Sequence, residues 1–382
     1  MKKKLIFSIV CLFMIWGSYA QELANFMGQK PIISPEFKAD EVIFRISQPY
    51  ADTIKLYGSW MDKPTASVLM KKDKAGVWTA SVPKPKSELY TYNFIVDGLA
   101  VTDANNILMQ RDGTRYLSVL LVPGDVTANY FEAKKRGNLA QVWYDSPTIG
   151  STRRMYVYTP YGYEASKEKY PVLYLLHGAG GDEDAWSTMG RTCQIMDNLI
   201  EKGLAKPMLV VMPNGNPGQQ AARTALLPEK TYDRNDPKFA DLYVNSIVKD
   251  IVPYIEKNFK VIASPKSRAL AGLSMGAGHT IRCTNLNPGF FSYICPLSNG
   301  IRVADDKAKA DYNQQFQGLK KAGYKLYFLA CGDTDFLFES AKLLDKTLTD
   351  NGLKHTFYVT PGGHTWSNWR IYLNNFAPLL FK

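Results

Sequence analysis

Ser274 stands at the centre of Gly272-Leu273-Ser274-Met275-Gly276, directly after the apolar run Ala269-Leu270-Ala271 and before a helix-like segment, Ala277 to Asn285. A strand, a tight glycine turn and a helix in that order lift a serine hydroxyl above the end of a sheet, where the helix N-terminus favours developing negative charge. A serine hydroxyl is a poor nucleophile until a base takes its proton. The chain has four histidines, His177, His279, His355 and His364. The order in such an arrangement is serine, acid, histidine, which leaves His355 and His364. His355 belongs to the strand-like alternation Leu353-Lys354-His355-Thr356-Phe357. His364 closes Pro361-Gly362-Gly363-His364, a loop able to swing an imidazole over a sheet edge, and is the expected base.

The acid must follow a strand between these two. Gly332-Asp333-Thr334-Asp335 follows the apolar run from Lys325 to Cys331, and spacing leaves both aspartates open. A turn role suits Asp333 and a helix N-cap suits Asp335 equally well. An oxyanion needs two backbone N–H donors. Met275, next after the serine, supplies one, and His177-Gly178-Ala179-Gly180-Gly181 after the run Val172 to Leu176 offers the other.

The elements that must position these residues are legible from about residue 150 onward. Runs apolar on both faces (172–176, 208–212, 268–273, 293–297, 325–331 and 355–359) alternate with helical segments near 188–202 and 241–259. In the second segment Val244, Ile247, Val248, Ile251 and Ile255 share one face. That grammar predicts an α/β fold with a mostly parallel sheet covered by helices, whose ligands bind at the carboxyl ends of the strands. From 41 to 122 the period is two instead, clearest in Tyr90-Thr91-Tyr92-Asn93-Phe94-Ile95-Val96, where 90, 92, 94 and 96 form one face. Short strands separated by Gly and Pro turns predict a small all-β, immunoglobulin-like sandwich. The expected division is a leader at 1–20, a β-sandwich at 21–124 and an α/β domain at 125–382, with 125–150 as a strand pair or linker.

The leader reading rests on Lys2-Lys3-Lys4, an apolar stretch from Leu5 to Trp16 and the small-x-small end Ser18-Tyr19-Ala20. It predicts a secreted or periplasmic protein. The chain has 382 residues and a formal charge of +11, of which +8 remains without the three leader lysines. Those charges are scattered, so nothing points to nucleic acid, and no apolar run is long enough to span a membrane. Cys193, Cys283, Cys295 and Cys331 lack metal-type spacing and read as free thiols, Cys295 and Cys331 in apolar strand-like runs. The site calls for no cofactor and no metal.

Taken together, Val157-Tyr158-Thr159-Pro160, Tyr170 to Gly178, Gly272 to Gly276, Gly332 to Asp335, and Gly362-Gly363-His364-Thr365-Trp366 with Trp369 resemble carbohydrate esterase family 1, the feruloyl and acetylxylan esterases of the esterase D group. The resemblance covers about 130–382 and implies an α/β-hydrolase. It places the acid on Asp335 and the second oxyanion N–H on Ala179. Tyr90 to Gly98 resembles, less diagnostically, the early-set, carbohydrate-binding family 48-like domain that precedes such esterases.

The expected function is therefore a secreted serine carboxylesterase that removes ester groups from plant cell-wall polysaccharide, with feruloyl esters on arabinoxylan as the leading substrate. Acetylxylan esterase, an enterobactin-type siderophore esterase and a non-catalytic carbohydrate-binding protein are the alternatives. Trp186, Trp366 and Trp369 are candidate substrate-binding rings. Trp60 and Trp78 are candidates for a sugar platform, although Trp78 alternates with Ala80 and Val82 as a core residue would. The stretch from Asn214 to Phe239 is too long for an ordinary connection and reads as a rim loop.

Overall fold

The computed structural model describes residues 32–61, 63–225 and 237–382, so the expected leader and part of the rim loop, 226–236, lie outside the described residues. The chain forms two compact units. One holds the chain up to Tyr57 with Met61–Lys84 and Asn93–Ile107, and the other holds Gly58–Trp60, Pro85–Tyr92 and Leu108–Lys382.

The strands preceding the large sheet are β1 (Glu36–Phe37), β2 (Glu41–Ser47), β3 (Ile54–Gly58), β4 (Val68–Leu69), β5 (Lys71–Lys72), β6 (Val77–Pro83), β7 (Glu88–Val96), β8 (Leu99–Val101), β9 (Met109–Asp112) and β10 (Arg115–Val122). In the first unit an antiparallel sheet runs β1-β2-β6-β5. Alternation does what it should there: Val42, Phe44 and Ile46 of β2 are buried, as are Trp78, Ala80 and Val82 of β6. Trp78 donates its indole N–H to Gln48 O at 2.9 Å and carries Lys72 over its ring, so it is core and not a sugar platform. Trp60 is half-buried, edge-on to Tyr90.

The compact units do not follow the boundary expected at 124. The first half of β7 pairs with β10, and β10 with β9, inside the second unit. Leu89, Val119 and Leu121 join the same apolar cluster as Tyr130, Trp186, Tyr372 and Phe376. This also breaks the expected face of β7. Tyr92 and Phe94 are buried, but in the first half Leu89 is buried and Tyr90 only half-buried. Glu88 is held by the buried Arg370 at 2.8 Å.

The second unit is built on an eight-stranded sheet. Its strands are β11 (Asn138–Ser146), β12 (Ser151–Thr159), β13 (Val172–Leu176), β14 (Leu209–Pro213), β15 (Arg268–Leu273), β16 (Tyr293–Leu297), β17 (Leu326–Gly332) and β18 (Thr356–Thr360). The order is β11-β12-β14-β13-β15-β16-β17-β18, parallel from β14 onward and antiparallel through the hairpin β11–β12 at one edge. Both faces are covered, as the doubly apolar strands require. Leu173, Leu175, Val210, Ala269 and Ala271 enter one cluster, while Val172, Tyr174, Leu209, Val211 and Leu270 enter another.

The helices are α1 (Ala185–Thr188), α2 (Thr192–Glu201), α3 (Pro237–Ser246), α4 (Val252–Asn258), α5 (Met275–Leu286), α6 (Asp306–Ala322), α7 (Phe338–Asp350) and α8 (Trp366–Phe376), with a π-helical turn at Ile247–Ile251 joining α3 to α4. The single helix expected at 188–202 is two helices, broken at Gly190 and at Arg191 with φ 53°. A Cβ on Gly190 would come within 2.6 Å of Trp186 O. Val244, Ile247, Ile251 and Ile255 are buried as their shared face predicts. Cys193, Cys283, Cys295 and Cys331 are free thiols. Among the described residues no helix is long and apolar enough to cross a membrane.

Candidate active site

Ser274 joins β15 to α5 with φ 52° and ψ −114°, a backbone geometry that costs a non-glycine residue about 1–3 kcal/mol. The surrounding packing enforces it. A Cβ on Gly272 would lie 2.4 Å from Gly276 O, and one on Gly276 would lie 2.6 Å from His177 O. The strand, the helix and the end of β13 can approach this closely only because both positions lack side chains. Ser274 N–H donates to Leu297 O at 2.8 Å, and Asn299 Nδ2 donates to Ser274 O at 2.9 Å. The backbone of the turn is thus held from both sides.

His364 follows β18, and its Nδ1 lies 2.9 and 3.0 Å from the two carboxylate oxygens of Asp335. Asp335 is 4% exposed, and its Oδ1 also accepts the Leu337 N–H at 2.9 Å. Asp333, the other aspartate that spacing left open, does something different. Its Oδ1 accepts the Gly362 N–H at 2.9 Å and fastens the loop that carries His364. The imidazole is flanked by Phe336, ring centroids 4.5 Å apart, and by Trp369 at 5.0 Å. His355, by contrast, pairs with Asp345 at 2.8 Å.

Two backbone N–H groups are expected to serve as oxyanion donors. Met275 opens α5, and the first N–H groups of a helix have no partner within it. The second is Ala179, oriented through a neighbouring side chain. His177 Nε2 accepts the Gly215 N–H at 2.7 Å, so in the neutral ring the proton sits on Nδ1, which donates to Gly178 O at 2.8 Å. Burial lowers the pKa of His177 and keeps it neutral. Gly178 C=O and Ala179 N–H belong to one planar trans peptide and point in opposite directions. Anchoring the carbonyl on His177 therefore turns the Ala179 N–H the other way. A Cβ on Gly178 would lie 3.2 Å from Ser274 Cβ, which shows how tightly this loop is set against the serine. Behind it His279, against Tyr243 at 4.9 Å, is pushed down to about 4 by burial and the neighbouring His177.

Ser274, His364 and the loop carrying Ala179 open on one cavity of about 250 Å³. Ala179, Ser274, His364, Trp366 and Trp369 line it, together with Asp112 and Met189. Trp186 does not. It is 1% exposed, donates its indole N–H to Leu176 O at 2.9 Å and meets Trp366 edge-on at 5.2 Å. The expected substrate contact at Trp186 is thus corrected: α1 turns this ring inward, where it supports Trp366.

Asp112 and Arg111 carry no signal of their own, since Arg111-Asp112-Gly113 reads as an ordinary turn. In the structure the Arg111 guanidinium pairs with Asp182 and lies 3.7 Å from Asp184, tying β9 to the loop after β13. Arg153 and Arg154 were equally silent. Arg153 donates to the carbonyls of Asn214, Asn216 and Pro217, and Arg154 forms a buried ion pair with Glu183 at 2.9 Å. Glu183 also accepts the Ala222 N–H at 2.8 Å, while burial raises its pKa. These contacts fix 214–222, the described start of the rim loop.

Residues 146–324 match the Esterase family, described as "Putative esterase". A curated relative, the endo-1,4-beta-xylanase/feruloyl esterase of Xylanibacter ruminicola, is 31% identical over 338 residues, which is 82% of this chain. This chain spans 41% of that relative's length. Among solved structures, a ferulic acid esterase is 26% identical with a TM-score of 0.50, covering 64% of this chain and 98% of its own. The enterobactin esterase of Shigella flexneri is 13% identical with a TM-score of 0.61, covering 88% of this chain and 92% of its own, a likeness of fold.

Proposed function

We propose, from the match of residues 146–324 to the Esterase family, that this chain is a serine carboxylesterase acting through an acyl-enzyme, with Ser274 as nucleophile, His364 as base and Asp335 as the group that orients the base. The observation that carries this reading is the constellation itself: a serine on a strained strand-to-helix turn and an imidazole bound through Nδ1 to a buried carboxylate, both opening on one cavity. His364 Nε2 takes the serine proton as Oγ attacks the ester carbonyl. Asp335 fixes the tautomer and stabilises the imidazolium. The N–H groups of Met275 and Ala179 receive the oxyanion, and His364 then returns the proton to the departing alcohol. Water repeats the sequence on the acyl-enzyme and releases the acid.

For substrate we propose ester decorations of plant cell-wall polysaccharide, feruloyl groups on arabinoxylan first. The similarity to the xylanase/feruloyl esterase supports this, as do the Trp366 and Trp369 rings on the cavity wall, which suit an aromatic acyl group. The lysine-rich leader supports secretion. Ser274→Ala should lower turnover about a million-fold with the melting temperature unchanged. Near-normal hydrolysis by that variant would refute the mechanism. Comparing methyl ferulate, acetylated xylan and a tri-catecholate ester ranks feruloyl, acetyl and siderophore substrates.

A further inference from the structure

We propose that the second unit carries a separate site for a neutral sugar of the polymer chain, in the hollow between edge strand β11 and helices α1 and α2. The identity of the sugar rests on the polysaccharide-esterase reading above. The existence of the site rests on its own geometry. The hollow measures about 390 Å³, within the range of small-ligand sites, and Gln141, Tyr156, Asp184, Gln194 and Arg223 are among the residues that line it.

Its chemistry suits a polyol. Glu132 accepts from Gln194 Nε2 at 2.8 Å, and Asp197 accepts the Gly137 N–H at 2.8 Å and the Tyr158 hydroxyl at 2.7 Å. Asp184 lies 3.5 Å from Arg223, which also donates to the Tyr156 hydroxyl at 3.1 Å. The carboxylates already have partners, so the hollow offers hydrogen bonding more than net charge. Gln194 Oε1 is a buried acceptor with no partner among the described residues, and a hydroxyl would supply one.

An aromatic platform adjoins it. Leu139, Gln141 and Trp143 share one face of β11, because side chains on a strand alternate. Leu139 and Gln141 line the hollow, and Trp143, next along that face, is 42% exposed. The indole is also held still: the Arg154 guanidinium lies 5.3 Å from its ring, and Arg154 is itself fixed by Glu183. A rigid exposed ring loses little freedom on stacking with a sugar. Asp184, Ser187 and Thr188 at α1 line this hollow, while Ala185 and Met189 line the active-site cavity. A helix is about 10–12 Å across, so a polymer held in one hollow has its neighbouring residues within reach of the other.

The test is calorimetric titration of the full chain with xylohexaose free of ester groups, beside kinetics on methyl ferulate. Trp143→Ala and Gln141→Ala should each weaken binding, about tenfold for the tryptophan, with kcat/KM on methyl ferulate unchanged. Wild-type affinity in both folded variants, no binding by the wild type, or tighter binding of polygalacturonate than of xylohexaose would overturn the proposal. Binding that is lost in the variants of a chain that hydrolyses none of the esters would uphold this site and reject the esterase reading instead.

Discussion

The two hollows on either side of α1 are built from different materials. The active-site cavity depends on backbone: a serine at φ 52° before the start of α5, glycines at 272 and 276 that admit no Cβ, and a loop whose Gly178 carbonyl is held by His177. The hollow beside β11 depends on side chains from separate elements, namely Gln141 and Trp143 on an edge strand, Asp184 before α1 and Gln194 on α2. Developing negative charge is best met by fixed dipoles that need no rearrangement, and fixed backbone needs glycine and strain. Recognition of hydroxyl groups needs only hydrogen-bonding side chains on rigid supports.

That difference can be broken from the chemical side. Asp335→Asn should reduce turnover on methyl ferulate about ten-thousandfold, because an asparagine favours the wrong imidazole tautomer, while leaving xylohexaose affinity intact. A parallel loss of both would join the two hollows into one site. Gly276→Ala should cost about a hundredfold in turnover, as loss of one oxyanion donor does. The new Cβ would press on His177 O and Leu176 O and displace the loop that presents Ala179. Steady-state kinetics on the folded variant checks this, and full activity would mean that the loop tolerates the shift.

A chain that begins at Asp125 sharpens the comparison differently. It lacks Leu89, Val119 and Leu121, which belong to the core beneath both hollows, and each buried side chain is worth roughly 2 kcal/mol. It also lacks Arg111, which ties β9 to Asp182. We expect a melting temperature lower by more than about 10 °C and poor soluble yield. A stable, fully active fragment would show that β9 and β10 are dispensable. The smallest effect is expected for Asp333→Asn, whose amide oxygen still accepts the Gly362 N–H and which removes only a charge at an exposed position. Turnover should stay within about tenfold of wild type, since weakening one exposed hydrogen bond costs at most on the order of 1 kcal/mol.

How much of this the sequence revealed follows the same division. The turn at Ser274 and the loop before His364 were legible because glycine is required there and glycine is visible. The doubly apolar strands announced the sheet for the same kind of reason, since both faces are covered. Asp333 and Asp335 were not separable by spacing, because either can sit in a turn; only the approach of His364 Nδ1 distinguishes them. Trp186 was misread because nearness along the chain to the loop after β13 says nothing about which way α1 turns the ring. The boundary at 124 missed because a turn signal marks where the chain bends and not which core a strand fills. The hollow beside β11 left no trace, since its residues come from segments spread from 132 to 223.

The most direct test of the central claim is covalent. The full chain is treated with a fluorophosphonate, and the adduct is located by peptide mass spectrometry. One equivalent of label is expected on Ser274, with much slower labelling in His364→Ala because the hydroxyl is no longer activated. Label on another residue, or labelling of Ser274 at the same rate without His364, would contradict that claim.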